Sequence, residues 1–184
     1  TYLKVLNPRM ISGHYQGRIL SLISKIICPK KILEIGTYTG YSAICLCEGL
    51  DIDGVLHTID NNKELVEIQN KYFKKANLKN KIVQYSGDAK NIIPSINEEF
   101  DIVFIDADKE SYPEYYDLII NKVRSGGIII ADNILWSGKI LKKVEKDDQA
   151  TKSIIEFNNK IIKDNRVKNI ILPIRDGLNI VRKN

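Results

Sequence analysis

Phe100-Asp101-Ile102-Val103-Phe104-Ile105-Asp106-Ala107-Asp108-Lys109 and, further on, Ile128-Ile129-Ile130-Ala131-Asp132-Asn133 decide how this chain folds. Each stretch is a continuous apolar run that ends in acidic or amide residues, the pattern of a strand buried on both faces with a polar tip at its carboxyl end. Between them Tyr115, Leu118, Ile119 and Val123 recur at helical spacing, and Ser125-Gly126-Gly127 is expected to stop that helix. A strand-helix-strand unit crosses over right-handed, so the strands are parallel and both tips face one edge of the sheet. Asp106, Asp132 and Asn133 can then converge there, with Lys109 close by. Hard oxygen donors of this kind suit a magnesium-like dication rather than zinc. The competing reading is that these aspartates only cap the next helix or turn, and the rest of the chain bears on that choice.

Working outward, Lys31-Ile32-Leu33-Glu34-Ile35 reads as a buried strand running into Gly36-Thr37-Tyr38-Thr39-Gly40-Tyr41-Ser42, and a helix with Ile44, Leu46 and Leu50 follows. Gly54 to Asp60 is a second strand with an acid at its tip. A helix carrying Leu65, Ile68, Tyr72 and Ala76 leads to the strand Ile82 to Ser86, and Gly87-Asp88-Ala89 turns into a short helix stopped near Pro94. Upstream, Asn7-Pro8 suggests a turn, and Ile19, Leu20, Ile23, Ile26 and Ile27 mark one face of a helix that begins at Gly13 and ends before Pro29. Downstream come a loop with Trp136 and Gly138, a charged stretch from Lys142 to Asp148, and a helix bearing Ile154, Ile155, Ile161 and Ile162. The end is Val167 to Pro173, a turn at Arg175-Asp176-Gly177, and Leu178 to Val181. Alternating strands and helices closed by a hairpin predict an α/β fold. It is a doubly wound, Rossmann-like, mostly parallel seven-stranded sheet with an antiparallel last strand and helices on both faces.

At 184 residues and 43% hydrophobic the chain has room for one core, so residues 1–184 are expected to form a single domain. No run approaches the roughly 18 apolar residues of a membrane span, and no basic-then-apolar leader opens the chain, so a soluble cytoplasmic protein is expected. The first residue is Thr1 and the first methionine Met10, which predicts a missing N-terminal segment. Cys28, Cys45 and Cys47 have no metal or disulfide spacing and are expected to be buried reduced thiols. A net charge of +5 and a pI near 9.0 admit an anionic partner such as RNA or a coenzyme A ester, or else solvated lysines.

The loop after the first strand lets a ligand approach the backbone and places it at a helix N-terminus. Tyr38 stands where a dinucleotide loop needs a second glycine, which counts against NAD or FAD. Asp60, about 20 residues beyond the loop, is placed to accept hydrogen bonds from ribose hydroxyls. Gly87-Asp88-Ala89 can border an adenine. The glycines could instead serve packing only, but the order of the features points to one nucleoside without a pyrophosphate beside a hard cation, that is, to S-adenosylmethionine.

With these residues in hand, the chain resembles the metal-dependent, class I S-adenosylmethionine O-methyltransferases, which include the catechol and caffeoyl-CoA O-methyltransferases and bacterial relatives. The resemblance is carried by Leu33 to Ser42, by Phe104 to Tyr112, by Ala131-Asp132-Asn133 with Leu135-Trp136, and by Asp176-Gly177-Leu178. It implies a metal held by Asp106, Asp132 and Asn133 (Mg2+, or Mn2+ or Ca2+) and Lys109 as the base. It further implies a cofactor site lined by Met10, Ser12, Glu34, Gly36, Tyr41, Ser42, Asp60, Asp88, Ala89 and Asp106. Ala107-Asp108 matches the caffeoyl-CoA and bacterial branches, and Asn179 stands where the catechol enzyme has a substrate-holding glutamate. Trp136 and Asn179 are candidate substrate residues, Trp136 as a stacking face or as a hydrophobic plug. The expected reaction is methyl transfer to a hydroxyl of a small vicinal-diol aromatic. A hydroxyuridine of tRNA is the alternative acceptor, and a non-catalytic S-adenosylmethionine-binding module is the third reading. A homodimer is implied by the resemblance alone.

Overall fold

The computed structural model describes residues 10–184, so the Asn7-Pro8 turn lies outside the described residues. Seven strands make one sheet: β1 (Lys31–Ile35), β2 (Val55–Asp60), β3 (Ile82–Ser86), β4 (Phe100–Ile105), β5 (Val123–Ala131), β6 (Val167–Leu172) and β7 (Leu178–Lys183). Their order is β3-β2-β1-β4-β5-β7-β6. The first five run parallel, and β7 lies antiparallel between β5 and β6. Mostly parallel pairing, the doubly wound order and the antiparallel last strand are as expected from the sequence.

Six α-helices accompany the sheet: α1 (Gly13–Ile27), α2 (Tyr41–Cys47), α3 (Val66–Lys75), α4 (Ala89–Ile92), α5 (Tyr112–Ile119) and α6 (Gln149–Lys163). Strand alternation sorts the core into two layers. Ile32, Leu56, Ile102, Phe104 and Ile130 face Leu20 of α1, Leu46 of α2 and Phe73 of α3. Leu33, Ile59, Val103, Ile105 and Ile129 face Ile93, then Tyr112 and Ile119 of α5, then Phe157 of α6. The strands are therefore covered on both faces, which is why they read as unbroken apolar runs.

Three local expectations are corrected. The helix after β4 ends at Ile119, and Val123 belongs to β5. Ser125-Gly126-Gly127 does not stop a helix but lies inside β5. There the pairing with β4 slips between Phe100 and Ile102, and Gly126 takes φ 76. Only a residue without a Cβ adopts that backbone cheaply, so the glycines make a bulge. Cys45 and Cys47 are buried free thiols as expected, but Cys28 is exposed, as the left-handed residue (φ 49) that ends α1. Among the described residues no helix is long and apolar enough to cross a membrane.

Candidate active site

The strand order reverses between β1 and β4, and ligands of open α/β sheets bind at the carboxyl edge beside such a reversal. Every acidic strand tip named from the sequence lies on that edge. Asp60 ends β2, Asp106 follows β4 and Asp132 follows β5. The backbone locks these tips together: Asp106 N donates to Ile35 O at 2.8 Å, and Asp132 N to Ile105 O at 3.0 Å.

Around Asp106 the chain makes a polar knot. Lys109, just inside a single 3-10 turn after β4, donates from Nζ to Asp106 Oδ1 at 3.2 Å and to the Tyr112 hydroxyl at 2.7 Å. The Tyr112 hydroxyl lies 3.0 Å from Asp132 O and 3.3 Å from Ile105 O, and it donates to these carbonyls. Tyr112 is fully buried, and burial together with the Asp106, Asp132 and Asp108 charges holds its hydroxyl protonated far above the usual range. Its side chain lies in the core, and its hydroxyl is the brace between Lys109 and the ends of β4 and β5.

Asp132 is only 4% exposed. Its Oδ1 accepts from Asn133 N at 2.7 Å and its Oδ2 from Nε2 of Gln16, on α1, also at 2.7 Å. Burial, and next the charge of Asp106, raise the Asp132 carboxyl to about 6. Asn133 takes the left-handed backbone (φ 59), and its side-chain amide has no hydrogen bond among the described residues. No group of three His, Cys, Asp or Glu side chains gathers to hold a metal among the described residues; this set is two carboxylates and an amide. The Asp106 charge and burial raise the cost of ionising Asp132, so with a single lysine beside them an added cation is favoured there. The donor set therefore fits a hard divalent ion.

The cofactor side is built from β1, β2 and the loop between β1 and α2. Asp60 Oδ2 accepts from the backbone N–H groups of Thr37 (3.0 Å) and Tyr38 (2.7 Å), so this acid shapes the loop itself. A small cleft of about 100 Å³ opens between Thr37, Asp60, Asn62, Gln84 and Ser86. Glu34 is fully buried, with Ser42 on one oxygen (2.5 Å) and Thr58 on the other (2.6 Å). Burial pushes its carboxyl up to about 8, and the Asp106 and Asp60 charges add to the shift. Gly36 (φ 99) has a packing reason: a Cβ there would collide with the Asp106 carbonyl oxygen. The loop is thus pressed against Asp106, which puts the β1–β2 side of the site in contact with the β4–β5 side.

The remaining candidates scatter more. Ser12 is buried and Met10 is 59% exposed. Arg175, in the β6–β7 turn, donates to Ile11 O at 2.9 Å and also to Ser12 O. Asp88 caps α4 through Lys90 N at 2.9 Å, and Ala89 is buried behind it. The Tyr41 ring packs on Gly17 of α1. Trp136 packs partly buried against the α5–α6 side of the core, with its indole N–H buried and unpaired among the described residues. Asn179 is 1% exposed on β7, and its amide oxygen accepts from Asn169 at 3.0 Å. Gln16 was missed altogether, because a glutamine in an amphipathic helix carries no local signal.

Comparison with known proteins places the chain in a family. The sequence model of a family described as O-methyltransferase matches residues 1–184. Tricin synthase 2 of Oryza sativa is 34% identical over 185 residues, which cover 95% of this chain and 63% of that protein. The caffeoyl-CoA O-methyltransferase of Populus kitakamiensis is 34% identical over 180 residues, covering 91% and 76%. The chain thus spans somewhat under two thirds of the rice relative's length and about three quarters of the poplar one's. A crystal structure of the O-methyltransferase from Bacillus cereus in complex with SAH superposes with a TM-score of 0.88 at 29% identity, covering 94% of this chain and 82% of that one. The chain belongs to the O-methyltransferase family, in the S-adenosylmethionine-dependent group of the caffeoyl-CoA O-methyltransferase type.

Proposed function

We propose that this protein moves the methyl group of S-adenosylmethionine to one hydroxyl of a small aromatic vicinal diol, with a divalent cation held by Asp106, Asp132 and Asn133. The single observation that carries the reading is the contact of Lys109 Nζ with Asp106 at 3.2 Å beside the buried Asp132, at the reversal of the strand order. Family membership supplies the cofactor, and the names of the rice and poplar relatives support a small-molecule acceptor. A tRNA acceptor and a non-catalytic binding module draw no support from those relatives. A homodimer rests on the resemblance alone.

A divalent ion, when bound, would supply the positive charge that gathers two neighbouring hydroxyl oxygens and lowers the pKa of one of them. The chain's own groups do the rest. Lys109 takes the hydroxyl proton at Nζ. Two directions around that nitrogen are already fixed, by Asp106 at 3.2 Å and Tyr112 at 2.7 Å, so its remaining position is aimed rather than free to rotate. Residues 36–42, Asp60 and the segment from Met10 to Ser12 would hold the cofactor, and the contact between Gly36 and Asp106 fixes its distance from the acceptor. The acceptor oxygen then attacks the methyl carbon as the carbon–sulfur bond breaks, leaving S-adenosylhomocysteine. Much of the acceleration comes from holding the two reacting atoms in line.

The test is S-adenosylhomocysteine release from the purified protein with S-adenosylmethionine and caffeate, protocatechuate or catechol, first with Mg2+ and then with EDTA. Turnover that EDTA abolishes is expected. Turnover that survives EDTA would overturn the metal requirement, and none on any diol while S-adenosylmethionine still binds would overturn the diol reading.

A further inference from the structure

We propose that Gln16 of α1 is a positioning residue for the cation site, holding the Asp132 carboxylate without cancelling its charge. The proposal rests on the metal reading above and extends it to a residue from the other end of the chain. Gln16 is fully buried and donates from Nε2 to Asp132 Oδ2 at 2.7 Å, across 116 residues of sequence. The other carboxylate oxygen is held by Asn133 N at 2.7 Å. The carboxylate is thus pinned at both oxygens, once by its own following peptide and once from α1. Each oxygen keeps a further lone pair for a cation.

The amide is not there for packing. Its neighbours on the buried side of α1 are Gly17, Leu20, Ser21 and Ser24, and an unbranched apolar side chain of the same length would fill the position. Instead a glutamine occupies it with Oε1 buried and unpaired among the described residues, a state that buried acceptors avoid. What only the amide supplies is the N–H on Asp132, and the nitrogen must face the carboxylate because an ionised carboxylate can only accept. A lysine or arginine would hold Oδ2 equally well, but its positive charge would compete with the cation. A neutral donor orients the ligand and leaves its full negative charge available. Outer donors of this kind change metal affinity by about tenfold to a hundredfold.

The experiment titrates the full chain with Mn2+ alone, read by the loss of the free-ion electron paramagnetic resonance signal, with neither cofactor nor acceptor present. Gln16→Met and Gln16→Leu are compared with wild type, with Asp132→Ala, and with Leu20→Ala. Leu20 is equally buried on the same helix and outside the site. S-adenosylhomocysteine affinity, measured by calorimetry, checks that each variant is folded. The expected result is Mn2+ affinity about tenfold or more weaker in whichever Gln16 variant retains S-adenosylhomocysteine binding, with Leu20→Ala unchanged. Wild-type Mn2+ affinity in a Gln16 variant, or an equal loss in Leu20→Ala, would overturn the role of Gln16 while the metal site stands. Failure of wild type to bind Mn2+, or binding undiminished in Asp132→Ala, would overturn the metal reading and the inference with it.

Discussion

Asp132→Asn is expected to make the metal-free protein more stable at pH 8 while abolishing methyl transfer. Burial and the Asp106 charge raise the Asp132 carboxyl from 3.8 to about 6. The folded state therefore holds this proton more tightly than the unfolded chain does. Between about pH 4 and pH 6 the folded form binds more protons, so stability falls as pH rises through that window, and the deficit is complete above it. That rise corresponds to about 3 kcal/mol at most. Asparagine removes the charge and keeps the hydrogen bonds. Its amide oxygen still accepts from Asn133 N, and its amide nitrogen can donate to Gln16 once that side chain turns over to present the oxygen now left unpaired. With incomplete relaxation the gain is about 1–3 kcal/mol, or roughly 2–10 °C in Tm for a chain of this size. Circular-dichroism melts in EDTA at pH 8, 7, 6 and 5.5 provide the assay, and the advantage of the variant should shrink as the pH falls toward 5.5. A variant that melts at or below wild type at pH 8, or an advantage independent of pH, would refute the reasoning. Saturating Mn2+ should then raise the wild-type Tm and leave the variant's unmoved.

Lys109→Met should cost about 10²- to 10⁴-fold in kcat, with S-adenosylmethionine affinity unchanged by calorimetry; equal loss of both would point to damage of the fold. Tyr112→Phe leaves Lys109 Nζ without its 2.7 Å partner and Asp132 O without its donor. Melts should show a loss of about 1–3 kcal/mol, and single-turnover assays a lower kcat at unchanged KM. Gly36→Ala forces a Cβ against the Asp106 carbonyl at φ 99, so it should lower stability by about 1–3 kcal/mol and weaken Mn2+ and S-adenosylhomocysteine binding together. Loss of only one ligand would show that the loop and the metal side are not mechanically joined.

The parts of this molecule that could be read from its sequence are those in which one residue's environment is set by its near neighbours. Ile102 to Ile105 and Ile128 to Ala131 are apolar on both faces because helices cover both sides of the sheet, so the run of side chains declares the strand and the polar residue after it declares the edge. Crossover handedness then brings Asp106 and Asp132 to one place without further information. The glycines were harder. Ser125-Gly126-Gly127 has the composition of a helix stop, yet Val123 before it and Ile128 after it both pair with β4, and that tertiary pairing turned the segment between them into a bulge.

What stayed hidden depends on contacts between residues far apart. Gln16 looks like any polar residue near the start of an amphipathic helix until α1 is laid over β5 and the amide meets Asp132. Tyr112 was visible as the end of the motif from Phe104, but the use of its hydroxyl was not, because that requires knowing that β4 and β5 present two carbonyls to the same point. The two residues have one physical property in common. Each is a neutral hydrogen-bonding group, buried, touching a charged group expected from the sequence, and each fixes that group's direction while leaving its charge intact. A charged partner would have been easier to find, since unpaired lysines and aspartates stand out in a sequence. For Asp132 it would also have been the wrong partner, because a positive side chain on that carboxylate would compete with the divalent ion it is proposed to bind. The least visible residues of this site are therefore inconspicuous for the same reason that they suit it.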